Sequence, residues 1–175
     1  MKSDIRGQIW VETVIYTLIT LTIIGAVLAF ILPRVEEIRD KSIIDQSISV
    51  MEDIDSTLLS VVQGGVGNKR IIDLTIRKGS LTINGTGNQI LFEMESSYAY
   101  GEIDRNISIG NIITRTEQTG SAFNVILTQN YNYNLTYDNE EAGKAVTQSS
   151  VPYKLQIENK GKDASGNTVV NVVAN

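Results

Sequence analysis

The sequence of 175 residues contains no cysteine and no histidine. The lack of cysteine excludes disulfides and thiolate metal sites, so an exported domain must be held together by packing and hydrogen bonds. The lack of histidine excludes Ser-His triads, His-based acid/base catalysis and most zinc sites. Carboxylate or lysine chemistry stays open, but we expect that the chain is not an enzyme and needs no cofactor.

Basic residues are also few, with 15 Lys and Arg against 20 Asp and Glu and a net charge of −5. A surface that binds nucleic acid needs clustered Lys and Arg to replace the counterions of the phosphates. We therefore expect no nucleic-acid partner.

Charge is absent altogether from residues 13–33, a run of 21 residues that reads TVIYTLITLTIIGAVLAFILP. A helix of about 20 apolar residues spans the hydrocarbon core of a bilayer, which is about 30 Å thick. The run is too long for the 7 to 15 apolar residues of a cleaved secretory signal. Basic residues flank both ends, so charge alone favours an inside N-terminus only slightly.

The segment before this run has a distinctive order. A short hydrophilic leader ends in Arg6-Gly7, Gln8 follows, and Glu12 stands at the fifth position counted from Gln8. This arrangement resembles the class III signal of archaeal type IV pilins and archaellins, in which many members follow Q-x-S-x-E-x-x-x-L. Gln8 and Glu12 match that pattern, whereas Trp10 replaces the Ser and Tyr16 replaces the Leu.

The resemblance implies that a prepilin peptidase cuts between Gly7 and Gln8, removing the leader (1–7). The mature chain would keep the long helix (8–63), leave the membrane with the help of an ATP-dependent assembly machine, and form an extracellular homopolymer through its N-terminal helices. Adhesion and motility are not separated by this signal. The alternative is a membrane-anchored surface binding module, or a minor pilin-like protein, that does not polymerise.

The position of Glu12 at the start of an apolar helix needs a physical explanation. Inserting a carboxylate at the centre of a bilayer costs about 2.5 to 3.5 kcal/mol of free energy, and less near the interface. Cleavage would create an α-amino group on Gln8, and that amine could pair with Glu12 of a neighbouring copy and fix the register of assembly. In the simpler interpretation, Glu12 lies at headgroup level and marks the start of the span.

Beyond Pro33 the pattern stays helical, which predicts one bent helix rather than two. An apolar stripe at spacings of three and four predicts a face that docks on the head, and nearby Asp and Glu residues predict a solvated face. Gly64-Gly65 predicts the C-terminus. The stripe comprises Ile44, Ile48, Met51, Ile54, Leu58 and Val61, and the solvated residues are Asp45, Glu52, Asp53 and Asp55.

The remaining residues, 64–175, alternate between apolar and polar and predict a β-rich head. We expect an α+β fold, with the long N-terminal helix followed by an antiparallel β-sheet or β-sandwich of seven or eight strands. The polar stretch 138–150 is predicted to be a loop. Strands are predicted near residues 72–76, 81–83, 90–94, 107–113, 123–127, 131–137, 153–157 and 169–173.

Three Asn-x-Ser/Thr sequons fall in the head, at Asn84, Asn106 and Asn134. We expect a glycan on at least one of them. Asn134 lies on the polar phase of its predicted strand, so a glycan there could point to solvent. Tyr131, Tyr133 and Tyr137 share the other phase and predict core or inter-head packing, with a sugar-binding platform as the alternative.

Overall fold

One long helix opens the computed structural model, which describes residues 5–175 and their side chains from residue 10 onward. This helix, α1, comprises Ile5–Gln63 and contains Pro33. The prediction of one helix across Pro33 is confirmed, and the bend there stays a prediction. At the C-terminus, the Gly64 amide donates to the Ser60 carbonyl at 3.0 Å, and Gly65 takes a φ of +82°. Gly65 adopts the left-handed conformation typical of a helix C-cap.

Ten strands follow in the described part of the chain. Their bounds are β1 Lys69–Leu74, β2 Ser80–Asn84, β3 Gln89–Ser96, β4 Asn106–Ile109, β5 Ile112–Thr119, β6 Ala122–Asn130, β7 Asn134–Tyr137, β8 Gly143–Thr147, β9 Tyr153–Lys162 and β10 Thr168–Ala174.

The strands form two sheets. The first has the order β1-β9-β10-β7 and is antiparallel except that β7 runs parallel to β10. The second has the order β4-β5-β6-β3-β2-β8 and is antiparallel throughout. The α+β fold with a long N-terminal helix is therefore confirmed, but the head is not purely antiparallel.

A single core joins the helix to both sheets. The whole predicted stripe of α1 is buried, from Ile44 to Val61, and the helix contacts β1, β9 and β10 of one sheet and β3 of the other. Leu155 and Ile157 of β9 and Phe92 and Met94 of β3 belong to the same buried cluster. Burial of each such side chain contributes about 1.5 to 3 kcal/mol, so packing fixes the C-terminal half of α1 to the head.

Three sequence predictions for the head are wrong in detail. The predicted loop at 138–150 contains β8, and the predicted strand at 107–113 is a hairpin of β4 and β5. Gly110, with a φ of +58°, opens the two-residue turn of that hairpin, a position that requires positive φ. The count of ten strands therefore exceeds the predicted seven or eight.

The predicted strand at 131–137 is shorter than expected, since β7 begins at Asn134. Tyr131 and Tyr133 lie before it, with ring centroids 5.1 Å apart, and both pack partly buried against the core. Burial raises the pKa of both hydroxyls. Their position supports the packing interpretation over a sugar-binding platform.

Candidate assembly helix and its junction with the head

The N-terminal half of α1 projects from the head without cover. Every side chain of residues 10–36, which we call the projecting segment, is exposed, including Trp10 (71%) and Phe30 (74%). An 18-residue window here has a mean hydropathy of 2.5 and no buried residue. By length and composition the segment could cross a membrane. A helix that is apolar all round is stable only when something apolar surrounds it.

Threonine hydroxyls interrupt this apolar surface, and three of them donate within the helix. Thr17, Thr20 and Thr22 donate to the carbonyl four residues earlier, each at 2.8 Å. Such bonds let a hydroxyl enter an apolar environment without leaving its donor unpaired. These three threonines therefore do not oppose burial in lipid or among other helices.

Glu12 is the acidic residue of the projecting segment that precedes the apolar run, and it is exposed. Among the described side chains, which begin at residue 10, no ion pair includes Glu12. Arg6, Gly7 and Gln8, where cleavage is predicted, have their backbone in α1, but their side chains lie outside the described part.

The helix is tied to the head where it first meets it, at Asp40. Asp40 as a whole residue is 4% exposed, its Oδ1 accepts from Lys78 Nζ at 2.7 Å, and its Oδ2 accepts from the Ser97 amide at 2.7 Å. Burial alone would raise the pKa of Asp40, but the Lys78 and Ser97 hydrogen bonds and the Lys78 charge outweigh burial and lower it. Sequence reasoning assigned Asp40 no special role, because it stands in a mixed charge cluster and Lys78 is 38 residues away.

A second tie holds the C-terminus of the helix. Asn159 of β9 is 3% exposed, and its Nδ2 donates to the carbonyls of Val61 and Val62, each at 3.4 Å. Its Oδ1 accepts from the Gly161 amide at 2.9 Å. The last carbonyls of a helix have no partner within the helix, so this side chain caps them.

Between these two ends, the face of α1 predicted to be solvated also contacts the head. Tyr100 Oη donates to Asp45 at 3.0 Å, and Asn111 Nδ2 donates to Asp55 at 3.4 Å. Burial, followed by the bond to Asp45, raises the pKa of Tyr100 to about 12. Asp45 and Asp55 therefore have a docking role beyond the solvated role predicted for them, whereas Glu52 and Asp53 are exposed as predicted.

The three sequons lie in different environments. Asn106 is exposed on β4, at the edge of the second sheet. Asn84 ends β2, and its Oδ1 accepts from the Gly87 amide at 3.1 Å. Asn134 is partly buried, and its Nδ2 donates to Asp163 at 2.6 Å, so the amide that would carry a glycan is already engaged. Of the three, Asn106 is the most accessible.

No metal site is evident, since no group of three or more His, Cys, Asp or Glu in the described part of the chain could hold an ion.

Comparison with known proteins adds no family: no protein-family model matches the chain, no curated protein matches it, and no solved structure matches its fold.

Proposed function

We propose that the chain is the structural subunit of an extracellular filament of the type IV pilus kind, used in adhesion or motility. The observation that supports this most is the uncovered apolar surface of the projecting segment. The same helix is buried in the head at one end and bare at the other, and in this proposal a lipid bilayer and then other copies of the helix cover the bare end.

The two ties to the head fit this role. Asp40 fixes the helix where it enters the head, and Asn159 caps the end of the helix, so a load on the projecting segment passes to both sheets. A subunit that joins a filament through its helix needs such a connection.

Assembly would begin with a membrane-inserted precursor. A prepilin peptidase would cut between Gly7 and Gln8, and an ATP-dependent machine would draw the helix into the growing filament. The new α-amino group of Gln8 would pair with Glu12 of a neighbouring copy. This pair neutralises both charges within the apolar helix core, where an unpaired carboxylate is costly.

Substitution of Glu12 tests the proposal. We expect Glu12→Ala to insert in the membrane as the native chain does but to yield few filaments in the sheared fraction, because the carboxylate that fixes the register is gone. Glu52→Ala is the matched control, since Glu52 is an exposed glutamate of the same helix beyond the apolar run. It should assemble normally.

Two results would count against this proposal. Normal filament yield from Glu12→Ala would remove the role given to Glu12. Recovery of the native chain in detergent extracts alone, with nothing released by shear, would favour the alternative of a membrane-anchored binding module.

A further inference from the structure

A polar cavity lies where the helix enters the head. Its volume is about 420 Å³, and we call it the junction cavity. The charged side chains that line it come from α1 and from the loop between β1 and β2: Glu36, Arg39 and Asp40 from the helix, and Arg77 and Lys78 from the loop. Three cationic side chains thus converge at one end of a head that belongs to an acidic chain.

The charges of the junction cavity are not balanced internally. Each carboxylate oxygen of Asp40 already accepts a hydrogen bond, one from Lys78 and the other from the Ser97 amide, so Asp40 and Lys78 neutralise each other. Arg39 and Arg77 are both exposed, and neither forms an ion pair with any side chain that the structure describes. Glu36 is the remaining carboxylate of the lining. Its single negative charge is outnumbered by the two positive charges of Arg39 and Arg77.

The position of Arg39 matches the headgroup layer of a bilayer. Arg39 lies six residues beyond Pro33, or about 9 Å along the helix from the end of the apolar run. The polar layer on each side of a hydrocarbon core is about 5 to 8 Å thick, and an arginine side chain can extend several ångströms along the helix toward it. If residues 13–33 span the core, the guanidinium of Arg39 lies at phosphate level.

A mainly apolar groove adjoins the junction cavity along α1. It is lined by Val35, Ile38, Ser42 and Gln46, shares Arg39, Ile43 and Arg77 with the junction cavity, and has a volume of about 420 Å³. Ile38 is 70% exposed, although it lies beyond the predicted span. Val35 and Ile38 precede Arg39 on the side of the apolar run, so they can contact the acyl chain of a lipid whose phosphate binds the two free guanidinium groups.

We propose that the junction cavity binds the phosphate headgroup of an anionic membrane lipid, held by Arg39 and Arg77, with an acyl chain along Val35 and Ile38. The lipid orients the head on the membrane before assembly. This site rests on the membrane-inserted precursor of the proposed function but not on polymerisation.

Lipid retention by the full chain in detergent, measured by native mass spectrometry, tests the site. We expect phosphatidylglycerol to be retained in preference to phosphatidylcholine. Arg39→Gln with Arg77→Gln should weaken retention by about 25-fold, since one basic residue near a membrane surface contributes about fivefold. Glu36→Gln should strengthen retention, because it removes the opposing carboxylate.

The matched control is Lys69→Gln with Arg70→Gln, which removes the same charge from two exposed residues at the start of β1, beyond the C-terminus of α1. This control should retain phosphatidylglycerol as the native chain does. An equal loss in the control, equal retention of both lipids, or an unchanged double arginine variant would overturn the site. Thermal unfolding of each variant checks that the head is intact.

Two further measurements distinguish a lipid from other ligands of the junction cavity. An excess of inorganic phosphate should not displace the lipid, because the groove holds the acyl chain, and full displacement would assign the site to free phosphate. If the chain shows no lipid preference but the double arginine variant fails to assemble, the cavity takes a carboxylate of a neighbouring copy instead. If the native chain retains the lipid but forms no filaments, the proposed function is wrong and the lipid site stands.

Discussion

Replacing Asp40 by asparagine should lower the free energy of unfolding of the head by about 2 kcal/mol. This value lies within the range of about 1.5 to 3 kcal/mol for a hydrogen bond to a charged group. The substituted side chain would keep a carbonyl oxygen as acceptor for the Ser97 amide but lose the charge that pairs with Lys78. This loss lies below the roughly 3 to 5 kcal/mol of a fully buried pair, since the Lys78 side chain is 38% exposed and that of Asp40 only 6%.

Denaturant unfolding of the full chain in detergent micelles measures this loss. Near-UV circular dichroism of tyrosine reports on the head, because six of the seven tyrosines lie there. Asp73→Asn is the matched control, since the Asp73–Lys154 pair is exposed on both sides (62% and 63%) and should contribute less than about 1 kcal/mol. Equal losses in the two variants would refute the special role of Asp40.

The Asp40–Lys78 pair also makes the free energy of unfolding depend on pH. The pKa of Asp40 is lower in the folded head than in the unfolded chain, so its contribution is complete above the unfolded value of about 3.9. The contribution is lost as the pH falls below that value and through the folded pKa. The difference between the native chain and Asp40→Asn should therefore shrink on acidification, and a difference that stays constant down to full protonation would contradict this cause.

Three other predictions concern the head. Asn159→Ala should lower the free energy of unfolding by about 1 to 3 kcal/mol, because it leaves buried carbonyls at the helix end without a donor; denaturant unfolding measures the loss, and an unchanged midpoint would reject the cap. Tyr100→Phe should remove the stability that the Tyr100 hydroxyl contributes. In the native chain this contribution is complete below the unfolded pKa of about 10 and is lost as the pH rises through the folded pKa of about 12. Ultraviolet titration should find one fewer tyrosine with a raised pKa in the variant. Asn106→Gln should lower the mass of the native protein by one glycan, and a native mass equal to the bare polypeptide would exclude glycosylation.

The helix was predictable because its signals are local. Ile44, Met51, Leu58 and their neighbours repeat with the helical period, so the buried face follows from spacing alone. The end at Gly64-Gly65 follows from the conformational preference of glycine. Alternation likewise predicts β3, in which Ile90, Phe92 and Met94 all point into the core.

The features that were missed depend on contacts between distant residues. β8 has one buried side chain, Val146, and its pairing with β2 rather than its composition makes it a strand. The parallel pairing of β7 with β10 joins residues that are 35 positions apart in the sequence, which no local pattern encodes. Asp40 looks like one charge among several until Lys78 and Ser97 come beside it.

Asn159 did carry a readable signal. It occupies the same phase of β9 as Leu155 and Ile157, so alternation places a polar amide on the buried face. A buried amide must find partners. The sequence could thus have marked Asn159 as a structural anchor, although not its target at the end of α1.

The most direct test of the proposed function is the N-terminal sequence of material that shear releases from cells. We predict thin filaments whose subunit begins at Gln8, with the projecting segment intact. Filaments built from an uncleaved chain would contradict the proposed cleavage, and a chain found only in detergent extracts, still beginning upstream of Gly7, would contradict the filament itself.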